Sequence, residues 1–219
     1  YRQVTIDVLD YILREMTDPA GGFFSSTDAD SEGVEGKFFV WTPAEVLEVL
    51  QNTDDARRFC AYYDITDQGN WEHRSIPNRL RPIEAVLKEL NLTIDELYET
   101  VQRVRPLLYR ARQERIPPGL DDKIITAWNG MMFSAMAEAG RVLGIVRYID
   151  GAMKAADFLL QVHQTAEGTL LRTSRQGRAP PDGVLADSAS LADGLVDLFE
   201  DCGQVRDRTA PLEMGGGFV

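Results

Sequence analysis

Val4, Val8, Leu9, Ile12, Leu13 and Met16 recur at the spacing of one helix face and predict an amphipathic helix over residues 3–16, closed by Asp18-Pro19 and Gly21-Gly22. Thr42-Pro43-Ala44-Glu45 has the form of a capping box with proline in the first turn, so a helix follows over 43–51. A short helix over 54–63 comes next. Thr93 and Glu96 form a second capping box, opening a helix towards 113 that Pro106 is expected to kink. From 122 to 143 the chain is apolar on nearly every side, with Ile124, Ile125, Ala127, Trp128, Met131, Met132, Phe133, Ala135, Met136 and Ala137. Such a helix is expected to be surrounded by protein, with Asp121-Asp122 at its start. Residues 149–163 read as a further amphipathic helix, and Asp187-Ser188 as the cap of a helix over 188–201 that Gly203 stops.

Buried, small-residue helices (124–143, 188–201) thus pair with amphipathic ones (3–16, 149–163), the pattern of an inner and an outer ring. The expected fold is all-α, a toroid of helical hairpins whose chemistry lies on the connecting loops. A glycine-containing motif marks the ends of the helical runs: DPAGGF at 18–23, AEGTL at 166–170 and EMGGGF at 213–218. Between Gly203 and the last of these no helix of the earlier size fits. That repeat is therefore degenerate, or residues are missing near 204–215.

Two long connections stand out. Residues 21–43, GGFFSSTDADSEGVEGKFFVWTP, combine Asp28, Asp30, Glu32 and Glu35 with aromatics and include a β-prone run, KFFVW. Residues 64–78 hold Trp71, Glu72 and His73. Long irregular connections inside a helical protein usually serve a site.

The chain has 219 residues, 44% of them hydrophobic, enough for an ordinary core. Lys and Arg number 23 against 35 Asp and Glu, a net charge of -12 that repels a phosphate backbone and an anionic membrane alike. Nucleic acid and membrane are therefore not expected partners. No apolar run approaches the roughly 18 residues of a spanning helix, and the start lacks a signal-peptide layout. Cys60 and Cys202 lie far apart and outside any CxxC, so buried free thiols are favoured over a disulfide or metal pair. A soluble protein in a reducing, cytoplasmic setting is the expectation.

The segments at 21–43, GNWEH at 69–73, GLDDKIITAWNGMM at 119–132 and LADSASLADGL at 185–195 resemble the spermatogenesis-associated protein 20 family. The resemblance covers residues 1 to about 203. It implies one partial domain over 1–219, an (α/α) toroid of the six-hairpin glycosidase type with short β-hairpin elements in its loops, related in shape to glycoside hydrolases and N-acylglucosamine 2-epimerases. A full barrel of that type needs roughly 300 residues, so this one is expected to be incomplete. The family also carries a thioredoxin-like domain, which is not within these residues; no redox chemistry is assigned, and that domain of the longer protein becomes an expected partner.

Two carboxyl groups across a cleft are the requirement of glycoside hydrolysis. Asp28, Asp30, Glu32 and Glu35 on the loop, with Asp121 and Asp122 at a helix start, are the candidate catalytic residues. A solvated acidic loop and a plain helix cap are the competing readings. Trp41, Trp71, His73, Lys123, Trp128, Asn129 and Asp187 are candidate substrate-binding residues, because sugar sites use aromatic faces for C–H surfaces and amides or carboxylates for hydroxyls. Trp128 as core filler and His73 as a surface histidine are the alternatives. His163, at a helix end, is read as favourable with the helix dipole. The Asp28-x-Asp30-x-Glu32-Gly33 run imitates half an EF-hand, but Phe39 stands where the closing Glu belongs. No metal and no cofactor is assigned. The buried helices carry no histidine, which disfavours an epimerase. Two functions stand: a glycosidase-like enzyme acting on carbohydrate, and a non-catalytic module working with the thioredoxin-like domain.

Overall fold

A computed structural model of the chain describes residues 1–175 and 182–202. In order along the chain these form α1 (Arg2–Glu15), β1 (Phe24–Thr27), β2 (Asp30–Ser31), β3 (Val34–Glu35), α2 (Pro43–Leu50), α3 (Thr53–Tyr63), α4 (Ile83–Leu90), α5 (Ile94–Gln113), β4 (Leu120–Ile125), α6 (Thr126–Leu143), α7 (Val146–Val162), β5 (Thr173–Ser174) and α8 (Leu185–Cys202). The fold is mostly helical with two small sheets. The EMGGGF motif, the discontinuity at 204–215 and the side chain of Cys202 lie outside the described residues.

The chain divides into two compact units: Asp28–Gly119, and Tyr1–Thr27 together with the described residues from Leu120 onward. In the latter, α6 packs on α7 and α8. Phe133, Met136, Tyr148, Ala152, Leu159, Leu191, Leu195 and Leu198 are wholly buried there. Close approach of α6 to α8 rests on two glycines, since a Cβ at Gly130 would meet the Ser190 carbonyl and one at Gly194 the Gly130 carbonyl.

The glycine motif has the same geometry at both described copies. After α1 an isolated bridge joins Thr17 to Phe23, and after α7 another joins Gln164 to Leu170. Each turn hands the chain to a strand, β1 or β5, and these flank β4 in a three-stranded antiparallel sheet.

That sheet corrects the expected start of the buried helix. Residues 120–125 are a strand, and α6 begins only at Thr126. Local pattern favoured helix, but Ile124 and Ile125 pair with Phe24, Ser174 and Thr173 on the two flanking strands, so tertiary pairing overrides the pattern. Asp121 and Asp122 are thus strand residues, not a helix cap. A second correction concerns α6 itself, which is not covered all round: Trp128, Met131 and Val142 are 52%, 57% and 63% exposed. They share one face with Ala135 and Glu138. At α8 the helix starts one turn earlier than expected, and Asp187 caps it from inside by accepting the Val184 N–H at 2.9 Å.

In the other unit both capping boxes form as expected, Thr42 with Glu45 and Thr93 with Glu96. The α5 helix runs on through Pro106. Residues 83–90 form α4, a helix beyond those expected, with Ile83, Val86, Leu87 and Leu90 at helical spacing. Val86 packs it against Tyr62, Leu97 and Val101. KFFVW forms turns rather than a strand; only Trp41 bridges, to Ser75. Phe38, Val40 and Trp41 are buried one by one, and this packing replaces the ladder that a strand would need.

Candidate functional site

The acidic loop is a hairpin. Asp30 pairs with Glu35 and Ser31 with Val34, leaving Glu32 and Gly33 as a two-residue turn with φ of 55° and 73°. Positive φ at both positions is the turn that matches strand twist, and glycine takes one of them without cost. Asp28, Asp30, Glu32 and Glu35 are all exposed, rather than lying in the partly dry concavity that acid and base roles called for. Asp28 caps its own turn by accepting the Asp30 N–H at 3.2 Å.

A second tight turn lies in the same unit. Trp71 and Arg74 exchange backbone hydrogen bonds of 2.9 and 2.8 Å around Glu72 and His73. Both of these have positive φ, 44° and 63°, without being glycine, a conformation that costs of order 1 kcal/mol or more at each position. His73 is exposed at this tip. The hairpin re-enters through Ser75, whose backbone exchanges hydrogen bonds of 2.9 and 2.8 Å with Trp41.

These pieces surround a cleft of about 320 Å³ lined by Ser31, Glu32, Lys37, Phe38, Glu45, Arg74, Glu114, Arg115 and Ile116. Glu45 is one of its lining residues and the one with the most ion-pair partners there. One carboxylate oxygen, Oε2, accepts the Thr42 N–H at 2.8 Å in the capping box, while Oε1 accepts from the Arg74 guanidinium. Arg115 Nη2 stands 3.9 Å from Oε2. Burial acts to raise the Glu45 pKa, but the hydrogen bonds from Arg74 and Thr42 and the charges of Arg74 and Arg115 outweigh it and hold the carboxyl below its ordinary range. Glu32 is paired with Lys37 at 2.7 Å.

Arg115 is the best-held cation of the cleft. Its guanidinium lies 4.0 Å from the centre of the Trp41 ring and donates to the Phe38 and Val40 carbonyls at 3.1 and 2.7 Å. Burial, opposed by Glu45 and reinforced by Arg74 and Arg112, lowers its pKa. Trp41, a candidate for sugar stacking, is therefore covered by Arg115 and buried in the core with Val46 and Phe59. Glu45, Arg74, Glu114 and Arg115 were not among the residues singled out from sequence. The one signal was the capping box, where Glu45 was read only as a cap.

The remaining candidates belong to the other unit. Asp121 accepts from Lys123 at 3.3 Å and Asp122 pairs with Arg175, and as neighbours on one strand the two carboxylates point to opposite faces of the sheet. Burial acts to raise the Asp121 pKa, yet hydrogen bonds from Lys123 and Ser25 lower it overall. Asn129 is 1% exposed, and its amide clamps the backbone: Oδ1 accepts the Phe23 N–H at 2.7 Å, and Nδ2 donates to Phe23 and Ile125 carbonyls at 2.9 and 3.0 Å. That amide faces main chain, not a cavity. Trp128 points to solvent one residue before it. The structure thus divides the candidate carboxylates between two units and gathers only Glu32 of them at the cleft.

His163 is a correction. It is wholly buried, with Nδ1 2.7 Å from Thr126 Oγ1 and Nε2 2.7 Å from Ser174 Oγ. Thr126 Oγ1 donates to the Leu171 carbonyl, so Nδ1 carries the proton and Nε2 accepts from Ser174. Burial lowers its pKa to about 4 against a small opposing charge from Asp187. The ring is neutral, so the dipole reading, which needs a cation, does not hold. Among the described residues no group of three or more His, Cys, Asp or Glu is arranged to hold a metal ion, and no helix is long and apolar enough to cross a membrane.

Fold and cleft define a mostly helical chain with a charged, ion-paired hollow at a helix cap. The chain is distantly homologous to spermatogenesis-associated protein 20: it is 32% identical to the human protein and 30% to the mouse protein, over 91% of its own length in each case. An uncharacterised Caenorhabditis elegans protein is 26% identical over 93% of the chain. The chain spans 30 to 32% of the length of these relatives. No protein-family model matches it. Among solved structures it is similar to cellobiose 2-epimerase from Bacillus thermoamylovorans, at 13% identity and a TM-score of 0.42, over 97% of this chain and 53% of that one. A sugar epimerase from a ruminal bacterium gives 12% and 0.42, over 96% and 54%.

Proposed function

We propose that the chain is a ligand-binding module of a carbohydrate-related helical protein, holding a hydroxyl-rich small molecule in the cleft at Glu45 without hydrolysing it. The observation that carries this reading is the pairing of the lining side chains, Glu32 with Lys37 and Glu45 with Arg74 and Arg115. Each pair sets acceptors beside donors, and a sugar hydroxyl, which donates and accepts at once, suits such pairs. Hydrolysis is the weaker option. It needs one carboxyl kept protonated at working pH, whereas Glu45 is held ionised by its partners. The thioredoxin-like domain implied by the family resemblance is the proposed partner within the longer protein. A reducing, cytoplasmic setting completes the proposal and rests on the cysteine content alone.

A thermal-shift panel of mono- and disaccharides on the 219-residue chain tests this. At least one sugar is expected to raise the melting temperature, and Glu45→Gln, which keeps a capping oxygen but loses the charge, to reduce that rise. A panel in which no sugar shifts the transition rules the proposal out.

A further inference from the structure

Three carboxylates and three cations line the cleft, and two of the carboxylates are already engaged. Glu32 is held by Lys37 at 2.7 Å. Glu45 accepts from the Thr42 N–H at 2.8 Å, from the Thr42 hydroxyl at 3.2 Å and from Arg74, which uses most of the roughly four acceptor positions of a carboxylate. Glu114 differs. It lines the hollow, it is exposed, and among the described residues no hydrogen bond or ion pair engages its side chain. It also stands at the C-cap of α5, where the partial negative charge of the helix end works against a carboxylate. The fold gains nothing from a charge there, and a local rule broken without structural gain points to a functional role.

Its neighbour Arg115 supplies the complementary group. Nη1 donates to the Phe38 and Val40 carbonyls, and the guanidinium lies over the Trp41 ring, so its plane is fixed. Nη2 has no acceptor at hydrogen-bond distance, since Glu45 Oε2 is 3.9 Å away. It is not one of the sealed, unpartnered nitrogens among the described residues, so solvent reaches it from the cleft that Arg115 lines. A donor anchored in this way loses little freedom when a ligand binds. The two side chains do not pair with each other, which leaves an acceptor and a donor side by side for a ligand to bridge.

We infer that the ligand of this cleft is an uncharged saccharide held by two neighbouring hydroxyls, one donating to Glu114 and the other accepting from Arg115 Nη2. This rests on the binding reading above and narrows it. Lys37, Arg74 and Arg115 match Glu32, Glu45 and Glu114 in number, so a full charge of either sign meets repulsion as well as attraction and still forfeits its hydration. Hydroxyls, which donate and accept, meet no such penalty. A volume of about 320 Å³ is at the small end of ligand sites and suits one or two sugar units.

Titration calorimetry on the full 219-residue chain decides it, with glucose, galactose and mannose each beside its uronate and its 2-amino analogue. One neutral hexose is expected to bind about tenfold or more tighter than both of its charged forms. Glu114→Ala should weaken that hexose by about tenfold or more, the loss of a hydrogen bond to a charged group, and Glu114→Gln, which keeps an acceptor, should retain part of the affinity. Both variants should melt at or above the wild-type temperature, because each removes a charge that the helix end disfavours. Unchanged affinity in Glu114→Ala overturns the contact and leaves the binding reading standing. A uronate or amino sugar that binds as tightly as its hexose overturns the uncharged ligand, again with the binding reading intact. A melting temperature that falls together with the affinity makes Glu114 structural and overturns the inference too. No binding by any of these sugars overturns it, and silence of the disaccharides in the thermal panel as well removes the binding reading with it.

Discussion

Gly194 on α8 lies against the backbone carbonyl of Gly130 on α6, so close that a Cβ at Gly194 would collide with that oxygen. Two competing effects meet there. Alanine in a helix interior is favoured over glycine by about 1 kcal/mol, while forcing a methyl into a packed contact costs about 1–3 kcal/mol, and more where the obstacle is main chain. The collision wins because the carbonyl cannot move without shifting α6. Gly194→Ala should destabilise the chain by about 1–2 kcal/mol net. Urea unfolding checks this, and an unchanged or raised midpoint would show that the helices separate freely.

His163 should make stability depend on pH. Its folded pKa of about 4 lies below the ordinary 6.5. Above about pH 6.5 both states are neutral and the group contributes no pH dependence. As pH falls from there to about 4 the unfolded chain takes a proton that the folded chain refuses, and stability drops by up to about 3 kcal/mol. Denaturant midpoints at pH 7.5 and pH 5, compared with those of His163→Gln, measure it. Equal pH slopes in the two proteins would contradict a buried neutral ring.

Asn129 should prove structural. Its amide meets two backbone groups of Phe23 and one of Ile125. Asn129→Leu strands buried main-chain donors and acceptors and should cost about 2–4 kcal/mol. Sugar affinity of the folded fraction should be unchanged, so a loss of affinity without a loss of stability would return Asn129 to the substrate-binding list.

Asp55 and Arg103 tie α3 to α5 through two hydrogen bonds of 2.7 and 2.8 Å. The hydrogen bond from Arg103, aided by its charge and against desolvation, lowers the Asp55 pKa. Their contribution is present above the unfolded pKa of about 3.9 and lost as pH falls through the lower folded value. Arg103→Met should therefore cost about 1–2 kcal/mol at pH 7, modest because Arg103 is half exposed, and less at pH 3. A cost that does not shrink at pH 3 would mean packing, not charge, is lost.

Thr93→Ala removes the hydroxyl that accepts the Glu96 N–H at 3.3 Å, one half of a capping box whose other half, from the Thr93 N–H, stays. About 1 kcal/mol of stability should go with it. Thr42→Ala should cost a similar amount and also loosen Glu45, so it alone should weaken sugar binding. Parallel effects of the two substitutions on binding would disconnect the cap from the cleft.

Local rules wrote much of this molecule. Apolar spacing placed α1, α2, α3, α5, α7 and α8 within a few residues, because a helix satisfies its own backbone and needs only its face and caps to be legible. The capping boxes at Thr42 and Thr93 were readable for the same reason. The glycine motif at 18–23 and 166–170 marked two turns of one geometry, since the return of the chain after a helix depends on a few neighbouring residues. What only the tertiary structure decided was pairing between distant segments. The strand 120–125 reads as a helix start until Phe24 and Ser174 supply its edges, and Asn129 reads as a ligand until Phe23 takes its amide. Glu45 looks like a cap in the sequence; it becomes part of a cleft only when Arg74 and Arg115, 29 and 70 residues away, fold back to meet it. Charge partners of this kind leave no periodic trace, because electrostatic contact depends on distance in space and not on spacing along the chain.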